Sequence, residues 1–100
     1  MPRKHERVPI LTEIVLESAS GKREARISDI SIGGCFVDTI VTARVGEPVA
    51  LRITLPPGYV LELKGEIAYV LDGCGFGVSF TDLSETASKS IEQFLATNSQ

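Results

Sequence analysis

Apolar and polar residues alternate along much of the chain, which is the pattern of half-buried β-strands. The clearest case is the segment 49–55, where Arg52 and Thr54 separate aliphatic residues and give one apolar and one polar face. A Pro-Pro-Gly turn ends this strand, and alternation then resumes over 61–71, so the two segments predict a long hairpin. The apolar face of the second segment is predicted to consist of Leu61, Leu63, Ile67, Tyr69 and Leu71.

The rest of the chain predicts further short strands and one helix. Four strands are predicted over 10–17, 24–30, 35–37 and 75–80, with an Asp-Gly turn before the last. Helical spacing then relates Leu83, Ala87, Ile91, Phe94 and Leu95. Ser84, or Asp82 with Glu85, can cap this helix at its start. Six antiparallel strands closed by one helix predict a small β-barrel or sandwich with the helix packed against it.

Composition fits one folded domain. The chain has 100 residues, of which 43% are hydrophobic and 23% charged, as in ordinary globular proteins. We find no apolar run long enough for a membrane span and no signal-peptide pattern, and therefore expect a cytoplasmic protein without membrane insertion. Cys35 and Cys74 have no metal-binding spacing, so we expect reduced, half-buried side chains and no metal site.

Charge and residue types argue against two classes of function. The net charge of -3 and the few aromatic residues disfavour a nucleic-acid-binding small barrel. The single histidine, His5, lies among charged residues rather than beside a nucleophile or metal ligands, so we predict no catalytic residues, no cofactor and no enzyme activity. Five of the 10 basic residues nevertheless fall within the first 23 positions, which is where an anionic partner is expected.

Two short motifs could carry ligand chemistry. The first is Arg3 with Arg7, whose guanidinium groups could clamp phosphates or guanine edges, although two arginines four apart usually only add solubility. The second is Asp29-x-Ser31-x-x-Gly34, which lies between two predicted strands. Alone it favours a turn or bulge, in which the Asp and Ser side chains bond to nearby backbone amides and a glycine adopts positive φ.

Taken together, the two motifs resemble those of the PilZ domain family, whose cyclic di-GMP-binding members carry an Arg-x-x-x-Arg arm followed by an Asp/Asn-x-Ser-x-x-Gly turn. The similarity continues through the Gly-Phe-Gly-Val-Ser-Phe strand at 75–80 and the closing helix, and so covers essentially the whole chain. It implies an all-β fold, a six-stranded antiparallel β-barrel with a C-terminal helix. It also implies a flexible ligand-binding arm over 1–9 and a barrel domain over 10–97.

The same resemblance implies which residues bind the ligand. Arg3 and Arg7 would contact guanine edges and phosphates as the arm wraps over cyclic di-GMP, with Asp29, Ser31 and Gly34 on the other side. Lys4, where many members have arginine, and Gly33 would make auxiliary contacts. The expected function is a stand-alone receptor that changes conformation and signals to an unidentified downstream protein. A PilZ-like protein-interaction module without a nucleotide ligand is the alternative.

Overall fold

A computed structural model describes residues 8–19, 21–40, 43–55 and 58–98. Within these ranges the chain forms six strands and one helix. They are β1 (Val8–Ser18), β2 (Gly21–Ile30), β3 (Gly34–Asp38), β4 (Pro48–Leu55), β5 (Tyr59–Leu71), β6 (Gly75–Phe80) and α1 (Glu85–Asn98).

The strands close into one antiparallel barrel in the order β1-β2-β3-β6-β5-β4. Because β4 pairs with β1 as well as with β5, the barrel has no open sheet edge between the first and last strands of this order. Over the described ranges, this architecture confirms the predicted six-stranded antiparallel β-barrel with a C-terminal helix. It also decides between the barrel and the sandwich, which the alternation of residues had left open.

The barrel interior is an aliphatic core to which every strand contributes. Ile27, Ile30, Val37 and Ile53 are completely buried, and Leu51 is 2% exposed. The remaining buried apolar side chains complete one continuous cluster: Ile14, Leu16, Cys35, Val49, Leu55, Leu61, Leu63, Ile67, Phe76, Val78, Ala87, Ile91 and Phe94.

Helix α1 follows the barrel and shares its core. The hydroxyl of Ser84 accepts a hydrogen bond from the backbone N–H of Ala87 (3.1 Å), which confirms Ser84 as the N-cap. Ala87, Ile91 and Phe94 are buried at spacings of four and three residues, so one stripe of the helix packs on the barrel as predicted. No helix within the described ranges is long and apolar enough to cross a membrane.

Three strand pairs contain register shifts. In β5, Ile67 pairs with Val78 and Tyr69 pairs with Gly77, so Ala68 is an extra residue that forms a β-bulge. The bulge changes which side chains face inward. Tyr69 and Leu71 were predicted on the apolar face, and this was wrong, because they are 37% and 51% exposed. Val70 packs partly against the core instead.

The two cysteines occupy different environments. Cys35 is buried in β3, as a small apolar residue would be, whereas Cys74 lies exposed in the turn between β5 and β6. No disulfide joins them. The expectation of half-buried side chains therefore does not hold for Cys74, because the Asp72-Gly73-Cys74 turn projects from the barrel.

Candidate ligand-binding site

A second β-bulge determines where the Asp29 side chain points. In the β2–β3 pair, Ile27 lies opposite Val37 and Asp29 opposite Phe36, so Ser28 is the extra residue. In a regular strand of the same sequence, Asp29 would share the inward side with Ile27, two positions earlier. Because of the bulge, Ile27 and Ile30 both enter the core at 0% exposure, and Asp29 is half-buried on the outside of the barrel.

Ser31 holds the turn that follows Asp29. Its exposed fraction is 3%, and among the described residues it alone is both polar and buried. Its hydroxyl accepts hydrogen bonds from the backbone N–H groups of Gly33 and Gly34, each at 3.2 Å, and donates to the Gly34 carbonyl at 3.3 Å. The Ser31 N–H donates to the same carbonyl at 2.8 Å. The side chain is therefore used within the turn, and direct contact of Ser31 with a ligand stays a prediction.

Close packing on β6 explains the glycine at position 34. A Cβ on Gly34 would overlap the backbone carbonyl of Val78 in the neighbouring strand. Gly33 fastens the same turn, because its carbonyl accepts a hydrogen bond from the N–H of Phe80 at 2.9 Å. Both glycines thus have a structural role in fixing the turn against the end of β6. Contact of Gly33 and Gly34 with a ligand stays a prediction.

The start of β1 lies next to Asp29. Val8 pairs with Ile30 and Pro9 pairs with Asp29 at the end of the β1–β2 ladder. The sequence that precedes Val8 is therefore joined to the barrel beside the Asp29 turn. Arg3, Lys4 and Arg7, which were predicted to bind the ligand, lie outside the described residues.

Two aromatic side chains that the sequence analysis did not identify extend the site on the outer surface. Phe36 is directly opposite Asp29, and Gly77 separates it from Tyr69 in the row of paired residues that crosses β3, β6 and β5. The two ring centroids are 6.1 Å apart, with 31° between the ring planes. The sequence contained one signal for this arrangement. Apolar residues spaced three apart inside a strand, such as Ile27 and Ile30, indicate a bulge when both belong to the core.

The row combines a carboxylate with flat apolar surface. Asp29 supplies hydrogen-bond acceptors, and the Phe36 and Tyr69 rings supply an apolar surface beside it. This arrangement suits a planar heterocycle with N–H donors along one edge. Among the described residues, no group of three or more His, Cys, Asp or Glu side chains could hold a metal ion.

A shallow depression elsewhere on the barrel has a different character. It lies on the outside of β1, β4 and β5, and Arg52 and Glu62 form an ion pair there with 2.9 Å between Nη2 and Oε2. Lys22, Lys64 and Glu17 also line it. Both members of the ion pair are more than half exposed, so this surface is a solvated mixture of charges and contains none of the predicted site residues.

Comparison with known proteins identifies one family by sequence and the same fold among solved structures. A family model described as PilZ domain matches residues 2–97. No curated protein sequence is significantly similar to the chain. Among solved structures, the inhibitor of motility MotI/DgrA from Bacillus subtilis superposes with a TM-score of 0.86 at 15% identity, covering 97% of this chain. This chain spans 50% of that protein.

Two isolated domains superpose over nearly their whole length. The PilZ domain of YcgR from Escherichia coli, solved with c-di-GMP, gives a TM-score of 0.77 at 16% identity and covers 98% of this chain and 92% of that one. The PilZ domain of CeSA from a cellulose-synthesizing bacterium gives a TM-score of 0.72 at 23% identity, covering 92% and 96% respectively. At these identities the superpositions show a shared fold.

Proposed function

Because the chain belongs to the PilZ domain family, we propose that it is a receptor that binds cyclic di-GMP and passes the signal to a partner protein. The observation that carries the proposal is that β1, the strand that follows the arginine motif, begins beside the Asp29 turn. Pro9 pairs with Asp29, so the sequence bearing Arg3 and Arg7 joins the barrel beside the Asp29 turn. Solved relatives of the same fold, among them the PilZ domain of YcgR, contain c-di-GMP.

The chemistry of the ligand matches the proposed residues. Cyclic di-GMP carries two phosphates and two guanines. Arg3 and Arg7 would pair with phosphate oxygens and with the O6/N7 edge of a guanine through their planar guanidinium groups. Asp29, which faces outward on β2, would accept hydrogen bonds from the Watson–Crick edge of a guanine, which carries its N–H donors. Binding rather than catalysis is the role that this set of groups supports.

Isothermal titration calorimetry with cyclic di-GMP tests the proposal. The wild-type protein should bind, and linear GMP should bind far more weakly because it cannot span the arm and the turn. Arg7→Ala and Asp29→Ala should each cost about 1 to 3 kcal/mol of binding free energy, roughly tenfold or more in affinity, and should impair binding much more than folding. Added salt should weaken binding, because the arginine–phosphate contacts are partly screened.

Residues 1–7, the part of the predicted arm that precedes β1, would act as the moving part of the receptor. We expect the arm to close over the ligand and to form, with the Asp29 turn, a composite surface that a partner recognises. Saturating cyclic di-GMP should then slow trypsin cleavage after Arg3, Lys4 and Arg7 and should slow amide exchange in this segment. Absence of binding at hundreds of micromolar ligand would refute the receptor function and leave a protein-interaction module without a nucleotide ligand.

A further inference from the structure

We propose that Phe36 and Tyr69 form an aromatic shelf on which one guanine base of the ligand stacks while Asp29 reads the edge of that base. The aromatic shelf is defined as these two side chains together with Gly77 between them. This inference rests on the proposed function, since it names a further contact for the same ligand.

The register of the barrel places the aromatic shelf next to Asp29. Asp29 and Phe36 are opposite partners in adjacent antiparallel strands, so their side chains share the outer face with Cα atoms about 5 Å apart. Phe36 pairs in turn with Gly77, and Gly77 with Tyr69. Neighbouring strands lie about 4.8 Å apart, so the Cα atoms of Phe36 and Tyr69, which are two strands apart, are separated by roughly 10 Å. Their rings lean towards each other over Gly77.

The glycines of β6 let the rings lie low on the sheet. A Cβ built on Gly77 would overlap three atoms of the Tyr69 ring, which shows that the ring occupies the space above this glycine. A Cβ on Gly75 would come within 3.0 Å of Cε2 of Phe36, so the Phe36 ring leans over β6 in the same way. Rings that rest on a backbone present one face to solvent, and Tyr69 is 37% exposed.

The composition of this surface favours a nucleobase as its occupant. A base that lay flat on the Phe36 ring would present its edge sideways to the strand that carries Asp29. Stacking of a base on an aromatic ring and acceptance of its N–H groups by a carboxylate would then act on the same base. Among polypeptide side chains, arginine offers the nearest comparable combination of a planar face and an edge with several N–H donors.

Affinity measurements test the contribution of the ring at position 36. Phe36→Leu should weaken cyclic di-GMP binding roughly fivefold to a hundredfold, the effect typical of losing one stacked base. Phe36→Tyr should retain binding within about twofold, because its ring also stacks. Val60→Ala, which truncates a side chain that is 57% exposed elsewhere on β5, serves as the matched control and should bind like wild type.

Ring-current shifts distinguish stacking from a purely structural role. In NMR spectra, the H8 proton of one guanine should move upfield when cyclic di-GMP binds the wild-type protein, and this shift should be much smaller in Phe36→Leu, where only the Tyr69 ring remains. Wild-type affinity in a folded Phe36→Leu variant would overturn the inference and leave the proposed function standing. If Phe36→Leu does not fold, the absence of an upfield H8 shift with the wild-type protein overturns it equally. Absence of binding by the wild-type protein would refute both the receptor function and the aromatic shelf.

Discussion

The β4–β5 hairpin and the strands around Asp29 differ in the regularity of their strand pairing. From Pro48 opposite Glu66 to Leu55 opposite Tyr59, eight consecutive pairs of the hairpin follow one another without a shift. The β1–β2, β2–β3 and β5–β6 pairs each contain a register shift. The outside of the regular hairpin carries the exposed Arg52–Glu62 ion pair, whereas the outside of the irregular region carries Asp29, Phe36 and Tyr69.

This difference shows what the bulges do. In a regular strand the inward or outward direction of each side chain is fixed by its parity, so a polar residue in an inward position would be buried. One extra residue reverses the parity of everything that follows it. Ser28 and Ala68 thereby bring Asp29 and Tyr69 to the outer surface while Ile30 and Val70 continue the core. We conclude that the bulges create the candidate site from strands that also form the barrel.

Exchange of Asp29 and Ile30, made by Asp29→Ile together with Ile30→Asp, should have the largest effect, because it reverses what the bulge achieves at these two positions. The carboxylate would then face the core, where an unpaired charge is costly, and the completely buried isoleucine would be lost from position 30. We expect a loss of more than about 4 kcal/mol in the free energy of unfolding, enough to abolish folding in a domain of this size. Circular dichroism and urea denaturation measure the effect.

Two variants serve as controls for this exchange. Ser28→Ala keeps the bulge and both side-chain directions, and it should change stability by less than about 1 kcal/mol. Exchange of Tyr69 and Val70 also swaps an outward and an inward residue next to a bulge, but both side chains are largely apolar, so it should cost less than exchange of Asp29 and Ile30. Equal losses for the two exchanges would show that the cost comes from repacking and not from burying a carboxylate.

Leu51→Ala tests the regular hairpin. Leu51 is 2% exposed inside the barrel, and its truncation should leave a cavity that costs about 2 to 5 kcal/mol of unfolding free energy. Cyclic di-GMP affinity should be unchanged at temperatures where the variant is folded, because Leu51 lies on β4, away from the candidate site. A selective loss of affinity without loss of stability would contradict this separation of the two regions.

Gly34→Ala and Gly77→Ala compare two close approaches to neighbouring strands. A methyl group on Gly34 meets the backbone of Val78, which cannot move without breaking the β3–β6 ladder, so we expect a loss of about 1 to 3 kcal/mol or more. A methyl group on Gly77 meets only the Tyr69 ring, which can swing away, so its effect on stability should be smaller. Thermal denaturation measures the stability of both variants. A smaller loss for Gly34→Ala than for Gly77→Ala would show that the Gly34 turn can relax.

The sequence predicted the barrel well because most strands keep their alternation. Val49, Leu51, Ile53 and Leu55 are all buried as expected, and Ser84 caps the helix. The second strand begins at Gly21, three residues before its predicted start, because Lys22, Arg23 and Glu24 are exposed and leave no apolar alternation to read. Propensity and alternation identify strands with a buried face, and they fail where both faces are polar.

The candidate site was predictable only in part. The resemblance to PilZ domains pointed to the Asp29 turn, and the structure gives its backbone a defined geometry. Alternation placed Tyr69 on the wrong face, since period two cannot register an extra residue. The spacing of three between Ile67 and Val70 was the available signal. The proximity of Tyr69 to Phe36 depends on pairing of both strands with β6, which the sequence does not encode locally.

The smallest effect is expected for the ion pair on the regular hairpin. Glu62→Gln removes the carboxylate that pairs with Arg52, but both side chains are mostly exposed, at 57% for Arg52 and 72% for Glu62. Water and salt screen such a pair, so its loss should lower stability by less than about 1 kcal/mol. Cyclic di-GMP affinity should stay at the wild-type value, in contrast to that of Asp29→Ala, which removes a carboxylate at the irregular region. If Glu62→Gln weakened binding as strongly as Asp29→Ala, the ligand would depend on the overall charge of the barrel, and the contrast between its two outer surfaces would no longer hold.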